Sequence, residues 1–237
     1  EALGLEAVVE TFHPSAPSMG FDEEAHAALF FDNDGTLVDT LPLIFKIYQT
    51  TLHEICGLVL PWAPFAEAMM HNTPAADTML TFAAEQGRPL DRERLMECYR
   101  DAAARAMRDP QGVRAIEATV AIARRAKHRG QPIALVTAAP KAWAMKMLAA
   151  AGLEDLFTDS VVIAKDTPGL QRQKPDPEPY LLAAARLGIP AETCLVFEDS
   201  EPALASLRRA GLPAVDVRTL PGYPAPHPDA FLPPSKL

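Results

Sequence analysis

The chain has 237 residues and a formal net charge of −9, with 49% hydrophobic and 22% charged residues. That length suits one large domain or a core with an insertion, the composition is that of a soluble globular protein, and the acidic balance excludes a broad basic footprint for nucleic acid or an anionic membrane surface. No apolar run is long enough to span a bilayer, and Cys56, Cys98 and Cys194 lack the spacing of a disulfide framework or zinc site, so the cytoplasm is the expected compartment.

Residues 1–27 form an N-terminal extension of Glu, Asp, His and Pro with short apolar pieces and no signal-peptide core, and Met19 is an alternative start within it. Leu29, Phe30 and Phe31 then read as the end of a buried strand. That strand delivers Asp32 and Asp34 into a Gly35-Thr36 turn. One carboxylate of such a pair can attack an electrophile while the other moves a proton, and both can hold a hard cation through oxygen.

From Thr40 to about Gly112 the pattern is helical. Asp39 or Thr40 can cap the first helix, Pro42 falls in its first turn, and Pro61, Pro74 and Pro89 divide the stretch into about four helices. The rhythm then changes. Helices over about 115–129, 141–151, 177–187 and 202–210 end at Gly130, Gly152, Gly188 and Gly211, and short apolar strands follow or intervene near 132–137, 160–164, 194–198 and 214–217. Helix, glycine and short strand in repetition predict an α/β fold, a doubly wound parallel sheet. The expected organisation is a core of residues 28–40 and 113–220, interrupted by a helical insertion over 41–112 and followed by a Pro-rich tail, 221–237, running extended over the surface. The basic cluster at 124–129 sits at a helix C-terminus, where cations are favourable, and reads as a solvated face.

Three more signals fall at predicted strand ends. Thr137 closes the strand after Val136, Lys174 opens Lys-Pro-Asp-Pro-Glu-Pro before a helix, and Glu198-Asp199-Ser200 follows Cys194-Leu195-Val196-Phe197. In parallel α/β sheets ligands bind beyond the carboxyl ends of strands, so these residues should converge.

The run Phe31-Asp32-Asn33-Asp34-Gly35-Thr36-Leu37-Val38-Asp39-Thr40 resembles the first motif of the haloacid dehalogenase-like superfamily, and Thr137, Lys174 and Glu198-Asp199 match its three later motifs in order. The resemblance spans about Leu29 to Val217. It implies a Rossmann-like core with a helical cap and a phosphatase acting on a small phosphorylated metabolite. Asp32 would be the nucleophile that becomes an aspartyl-phosphate, Asp34 the general acid and base, Thr137 a donor to phosphoryl oxygens, and Lys174 the positive charge. Mg²⁺ would be held by Asp32, the backbone carbonyl of Asp34, Asp199 and Glu198, the last directly or through a water. The chain departs from the family pattern with Gln173 before the lysine, a longer loop over 165–172, and Ala138 where many relatives carry Asn.

Within the superfamily, dehalogenases and phosphonatases lack the second aspartate, so Asp34 argues against both, although Lys46 lies in the insertion where phosphonatases carry their lysine. Phosphomutases of the β-phosphoglucomutase type carry a histidine four residues after the position of Thr40; here it is Ile44. The corresponding substrate loop, residues 71–77, has no Lys or Arg, so a phosphatase for a sugar phosphate-like monoester is expected over a mutase. Substrate contacts are expected from His71, Asn72 and Ala138. The alternatives are a mutase or a HAD-like binding protein that has lost catalysis, and the full motif set argues against the latter. A monomer or weak homodimer is expected, with no nucleic-acid or membrane partner.

Overall fold

The structure, a computed structural model, describes residues 21–71 and 73–224. Most of the N-terminal extension, Asn72 and most of the Pro-rich tail therefore lie outside the described residues.

Five parallel strands form the central sheet: β1 (Ala28–Phe31), β4 (Ile133–Val136), β5 (Val161–Ile163), β6 (Cys194–Glu198) and β7 (Ala214–Asp216), in the spatial order β5-β4-β1-β6-β7. Strands β1, β4 and β6 are buried along their whole length, which is why they read as continuous apolar runs instead of alternating ones. Helices α5 (Glu117–His128), α6 (Lys141–Ala150), α7 (Glu178–Leu187) and α8 (Glu201–Arg209) cover the two faces. Two apolar clusters result, one around Leu29, Phe31, Leu135 and Phe197 and one around Phe30, Val136, Tyr180 and Val196. Successive residues of β1 point to opposite clusters, as the strand period of two requires. Gly188 ends α7 in the left-handed region at φ 67°, its N–H returned to the last turn, a geometry a Cβ would oppose.

The topology places β1 between β4 and β6, and the register pairs Phe31 with both Leu135 and Phe197. The residues just beyond these three strands are therefore neighbours, and the order reverses there, at the switch point where α/β sheets bind ligands.

Between β1 and α5 the chain makes four helices, α1 (Leu41–Cys56), α2 (Trp62–Met70), α3 (Ala75–Glu85) and α4 (Arg92–Arg108). Asp91 caps α4 by accepting from Arg94 N at 2.9 Å, with Glu93 in its first turn and Arg105 and Arg108 in its last, matching the helix dipole at both ends. Phe45, Tyr48, Leu52, Phe65, Met79 and Leu95 form a third apolar cluster inside these helices. The chain enters and leaves the helical stretch through two short strands, β2 (Val38–Asp39) and β3 (Arg114–Ala115), paired antiparallel and tied by an Arg114–Asp39 ion pair at 3.3 Å. Two-residue strands are too short to carry a hydrophobic period, and the sequence reading contained neither.

The flanking segments are tied down where they are described. Phe21 packs edge-on against Phe197 with ring centroids 5.5 Å apart. Glu23 pairs with Arg125 at 3.0 Å and Arg129 at 3.1 Å, so part of the basic cluster on α5 is engaged by the N-terminal segment, not only by solvent.

Candidate active site

The turn after β1 sets the site. Asn33 O accepts from Thr36, Leu37 and Val38, which folds the chain back on itself, and Gly35 takes φ 85°. A Cβ at Gly35 would lie 2.2 Å from Asp199 Oδ2, so only glycine allows that carboxylate to sit against the turn. Asp32, Asp34, Thr137, Lys174, Glu198 and Asp199 all line one cavity of about 520 Å³, together with Ala138.

Lys174 is the electrostatic centre. Its Nζ lies 2.5 Å from Asp32 Oδ1 and 3.3 Å from Glu198 Oε1, and donates to Val136 O at 3.1 Å. The ammonium also sits 5.2 Å from the ring centroid of Tyr180. Burial works against its charge, but Asp32 and Glu198 outweigh that and hold it well above the ordinary lysine value. One ammonium does not balance the carboxylates around it. Burial, then Glu198, pushes Asp32 up to about 8 against the pull of Lys174, and the same two causes raise Asp199 well above its usual range.

Carboxylate oxygens of Asp32, Glu198 and Asp199 lie within 4.8 Å of one another. Glu198 Oε2 is buried with no hydrogen-bond partner, while Oε1 accepts from Ser200 Oγ at 3.1 Å. Three all-oxygen donors, excess negative charge and an orphaned carboxylate oxygen fit a hard divalent cation.

Asp34 is engaged differently: its Oδ1 accepts from Thr40 Oγ1 at 2.8 Å and from Trp143 Nε1 at 3.0 Å. Thr137 Oγ1 accepts from Ala139 N at 3.0 Å, which leaves its own proton to donate into the cavity.

Among the described residues of the 71–77 loop, His71 included, none lines this cavity. His71 is exposed at the end of α2 and does not line the cavity, and Asp77 pairs with Arg92 at the surface. The helical wall is made instead by residues upstream, on α1 and α2. The sequence reading also missed Trp143, Tyr180 and Tyr223. Tyr223, from the segment expected to run over the surface, lines the cavity and donates to Gly35 O at 2.7 Å. Trp143 falls in the first turn of the helix after Thr137, but nothing local to it marks the distant carboxylate its indole N–H reaches.

With this geometry in place, the chain belongs to the haloacid dehalogenase-like hydrolases, whose sequence model matches residues 26–211. It is 30% identical to the fructose-1-phosphate phosphatase YqaB of Escherichia coli over 83% of this chain and 99% of that protein. It is also 30% identical to a plasmid-encoded phosphoglycolate phosphatase of Cupriavidus necator, over 84% of this chain and 83% of the relative. Among solved structures, a HAD family hydrolase from Deinococcus radiodurans with bound phosphate and sodium superposes with a TM-score of 0.63 at 30% identity, covering 81% of this chain and 80% of that one. Among the described residues no helix is long and apolar enough to cross a membrane.

Proposed function

We propose that this enzyme is a Mg²⁺-dependent phosphatase that hydrolyses small phosphorylated metabolites through an aspartyl-phosphate. The observation that carries the reading is the buried constellation of Asp32, Lys174, Glu198 and Asp199, with Asp34 beside it on separate hydrogen bonds. Relatives that act on fructose-1-phosphate, phosphoglycolate and, in Thermotoga maritima, phosphorylated carbohydrates support a phosphomonoester substrate.

In the first step an Asp32 carboxylate oxygen attacks phosphorus. The phosphorus–oxygen bond to the leaving alcohol breaks, and Asp34 gives that oxygen its proton. In the second, water attacks the phosphorus of the acyl phosphate and Asp34 takes a proton from it. Inorganic phosphate leaves and the Asp32 carboxylate is restored. Thr137 donates to the phosphoryl oxygens, and Lys174 offsets charge on Asp32 and the phosphoryl group. Asp32, Asp199 and Glu198 would hold the cation, with the Asp34 carbonyl as a further donor. Mg²⁺ there would supply the second positive charge that lets nucleophile and phosphate approach each other.

The helical stretch 41–112 is read as a cap on the core, 28–40 and 113–220. The β2–β3 ribbon is its hinge, and its role is to exclude water until the alcohol has left. Ile44 lines the cavity where a mutase would need a proton-transferring side chain, which favours hydrolysis over phosphoryl transfer to a sugar.

The test is phosphate release from p-nitrophenyl phosphate and a panel of metabolite monoesters, with Mg²⁺ and after chelation. Activity that requires Mg²⁺ and vanishes in Asp32→Asn is expected. Full activity after exhaustive chelation removes the metal from the reading, and substantial turnover by Asp32→Asn removes the nucleophile.

A further inference from the structure

The part of the cavity that would receive the leaving alcohol is apolar. Its helical wall is Leu41 and Ile44 on α1 with Trp62, Ala66, Met69 and Met70 on α2. The α2 residues fall at i, i+4, i+7 and i+8, one continuous helical face. The adjoining side of the same helix, Phe65 and Ala68, is buried, and Trp62 and Met69 pack partly against the helical cluster around Phe65. This accounts for an otherwise odd sequence. Trp62–Met70 carries a single charged residue, Glu67, which is exposed, so apolar residues cover most of the helix circumference. Phe65 and Ala68 fill the interior of the helical stretch. The neighbouring stripe of Trp62, Ala66, Met69 and Met70 lines the cavity with the carboxylates, and Met70 remains 50% exposed.

The polar groups on the core side of the cavity, outside the catalytic set, are already engaged. Ser200 donates to Glu198. Arg218, the second cation lining the cavity, is held by Asp216 at 2.6 Å and Glu201 at 3.3 Å. The Tyr223 hydroxyl donates to Gly35 O, and Asp39 pairs with Arg114. A leaving group with several hydroxyls, a carboxylate or a second phosphate would meet methyl, thioether and indole surface, and its polar groups would lose water without replacement. An alcohol with an apolar body would exchange water for complementary surface, and two methionines can adapt to its shape.

We infer that the leaving alcohol of the true substrate carries an uncharged apolar body, aliphatic or aromatic, seated between the α1–α2 face and the catalytic carboxylates. This rests on the phosphatase reading above and replaces a sugar phosphate-like ester with a hydrophobic one.

The test compares esters of primary alcohols of similar acidity with Mg²⁺ present: cyclohexylmethyl phosphate and 3-phenylpropyl phosphate against fructose-1-phosphate and glycerol phosphate, with p-nitrophenyl phosphate as the check on turnover. The apolar esters should exceed the hydroxylated ones by about tenfold or more in kcat/KM. Equal or faster turnover of the hydroxylated esters overturns the inference, while hydrolysis of p-nitrophenyl phosphate keeps the phosphatase reading intact. If no ester is hydrolysed, the phosphatase reading fails. Calorimetric titration of Asp32→Asn with cyclohexylmethyl phosphate and fructose-1-phosphate then decides the cavity's preference without turnover: tighter binding of the apolar ester supports it and equal binding overturns it. Ile44→Thr and Met69→Gln, which put polar atoms on the wall with little change in size, should bring the wild-type ratio back toward unity. A ratio unchanged in both variants overturns the assignment of this wall.

Discussion

The indole N–H of Trp143 donates to Asp34 Oδ1 at 3.0 Å, across 109 residues of sequence. The same oxygen accepts from Thr40 at 2.8 Å. With Oδ1 accepting two hydrogen bonds, a proton carried by Asp34 belongs on its other oxygen. On the proposed mechanism, Trp143 would position Asp34 for proton transfer. Trp143→Phe keeps an aromatic ring against the main core cluster and removes the N–H donor, at the loss of part of the indole's packing. We expect kcat on alkyl phosphates to fall by roughly tenfold to a hundredfold, part of what a general acid contributes. KM should change little. The loss should shrink on p-nitrophenyl phosphate, whose leaving group needs little protonation. Equal loss on both substrate types would assign Trp143 a packing role alone.

Asp32→Asn should abolish turnover with the fold retained, since the amide is nearly isosteric but a poor nucleophile. The variant also relieves the crowding of Asp32 against Glu198 and Asp199. Its metal-free form should therefore melt no lower than wild type, which thermal denaturation followed by circular dichroism would check. A lower melting temperature would mean that the Lys174–Asp32 pair stabilises the fold more than carboxylate repulsion destabilises it.

Gly35→Ala tests how the turn after β1 serves the metal. The new Cβ would be placed 2.2 Å from Asp199 Oδ2 at a backbone with φ 85°. Strain at that φ should cost about 1 kcal/mol, and displacement of Asp199 should weaken apparent Mg²⁺ affinity by roughly tenfold or more. Titrating activity against Mg²⁺ at saturating substrate measures the second effect apart from the first. Unchanged Mg²⁺ affinity would show that Asp199 can shift and still serve.

The residues that gather around the cavity, Asp32, Asp34, Thr137, Lys174, Glu198 and Asp199, were legible in the sequence because each lies in or beside a local pattern: a buried strand run ending in a turn, or a lysine before a proline-rich helix start. Parallel register then brings them together without further information, Phe31 pairing with Leu135 and Phe197 at once. Trp143 and Tyr223 were not legible, since their roles depend on approaches across 109 and 188 residues that no local pattern encodes. The sequence points instead to the loop of His71, whose described residues do not line the cavity in this structure. A polar loop looks like a binding site in sequence, whereas Trp62, Ala66, Met69 and Met70 look like core until they are seen to line the cavity beside the buried Phe65 and Ala68. The β2–β3 ribbon escaped because two-residue strands have no period.

The last prediction concerns pH and the metal together. In the metal-free protein Asp32 is raised from its ordinary 3.8 to about 8, chiefly by burial and then by Glu198. A carboxyl raised in the folded state binds its proton more tightly there than when unfolded. Between about pH 4 and pH 8 the folded protein holds a proton that the unfolded chain has released, so raising the pH through that window removes stability. For one proton the slope approaches about 1.4 kcal/mol per pH unit. Asp199, raised by the same causes, acts in the same direction. The melting temperature of chelated protein should therefore fall steadily from about pH 5 to pH 8. On the proposed reading Mg²⁺ would bind the ionised carboxylates and compete with those protons, so its stabilising effect should grow as pH rises over the same window. The measurement is a grid of thermal melts in pH and Mg²⁺, repeated with Asp32→Asn, where the slope of the chelated protein should flatten. A chelated wild type that gains stability toward pH 8 would mean that Lys174 alone neutralises the cluster, and the argument for a cation from its charge imbalance would fail.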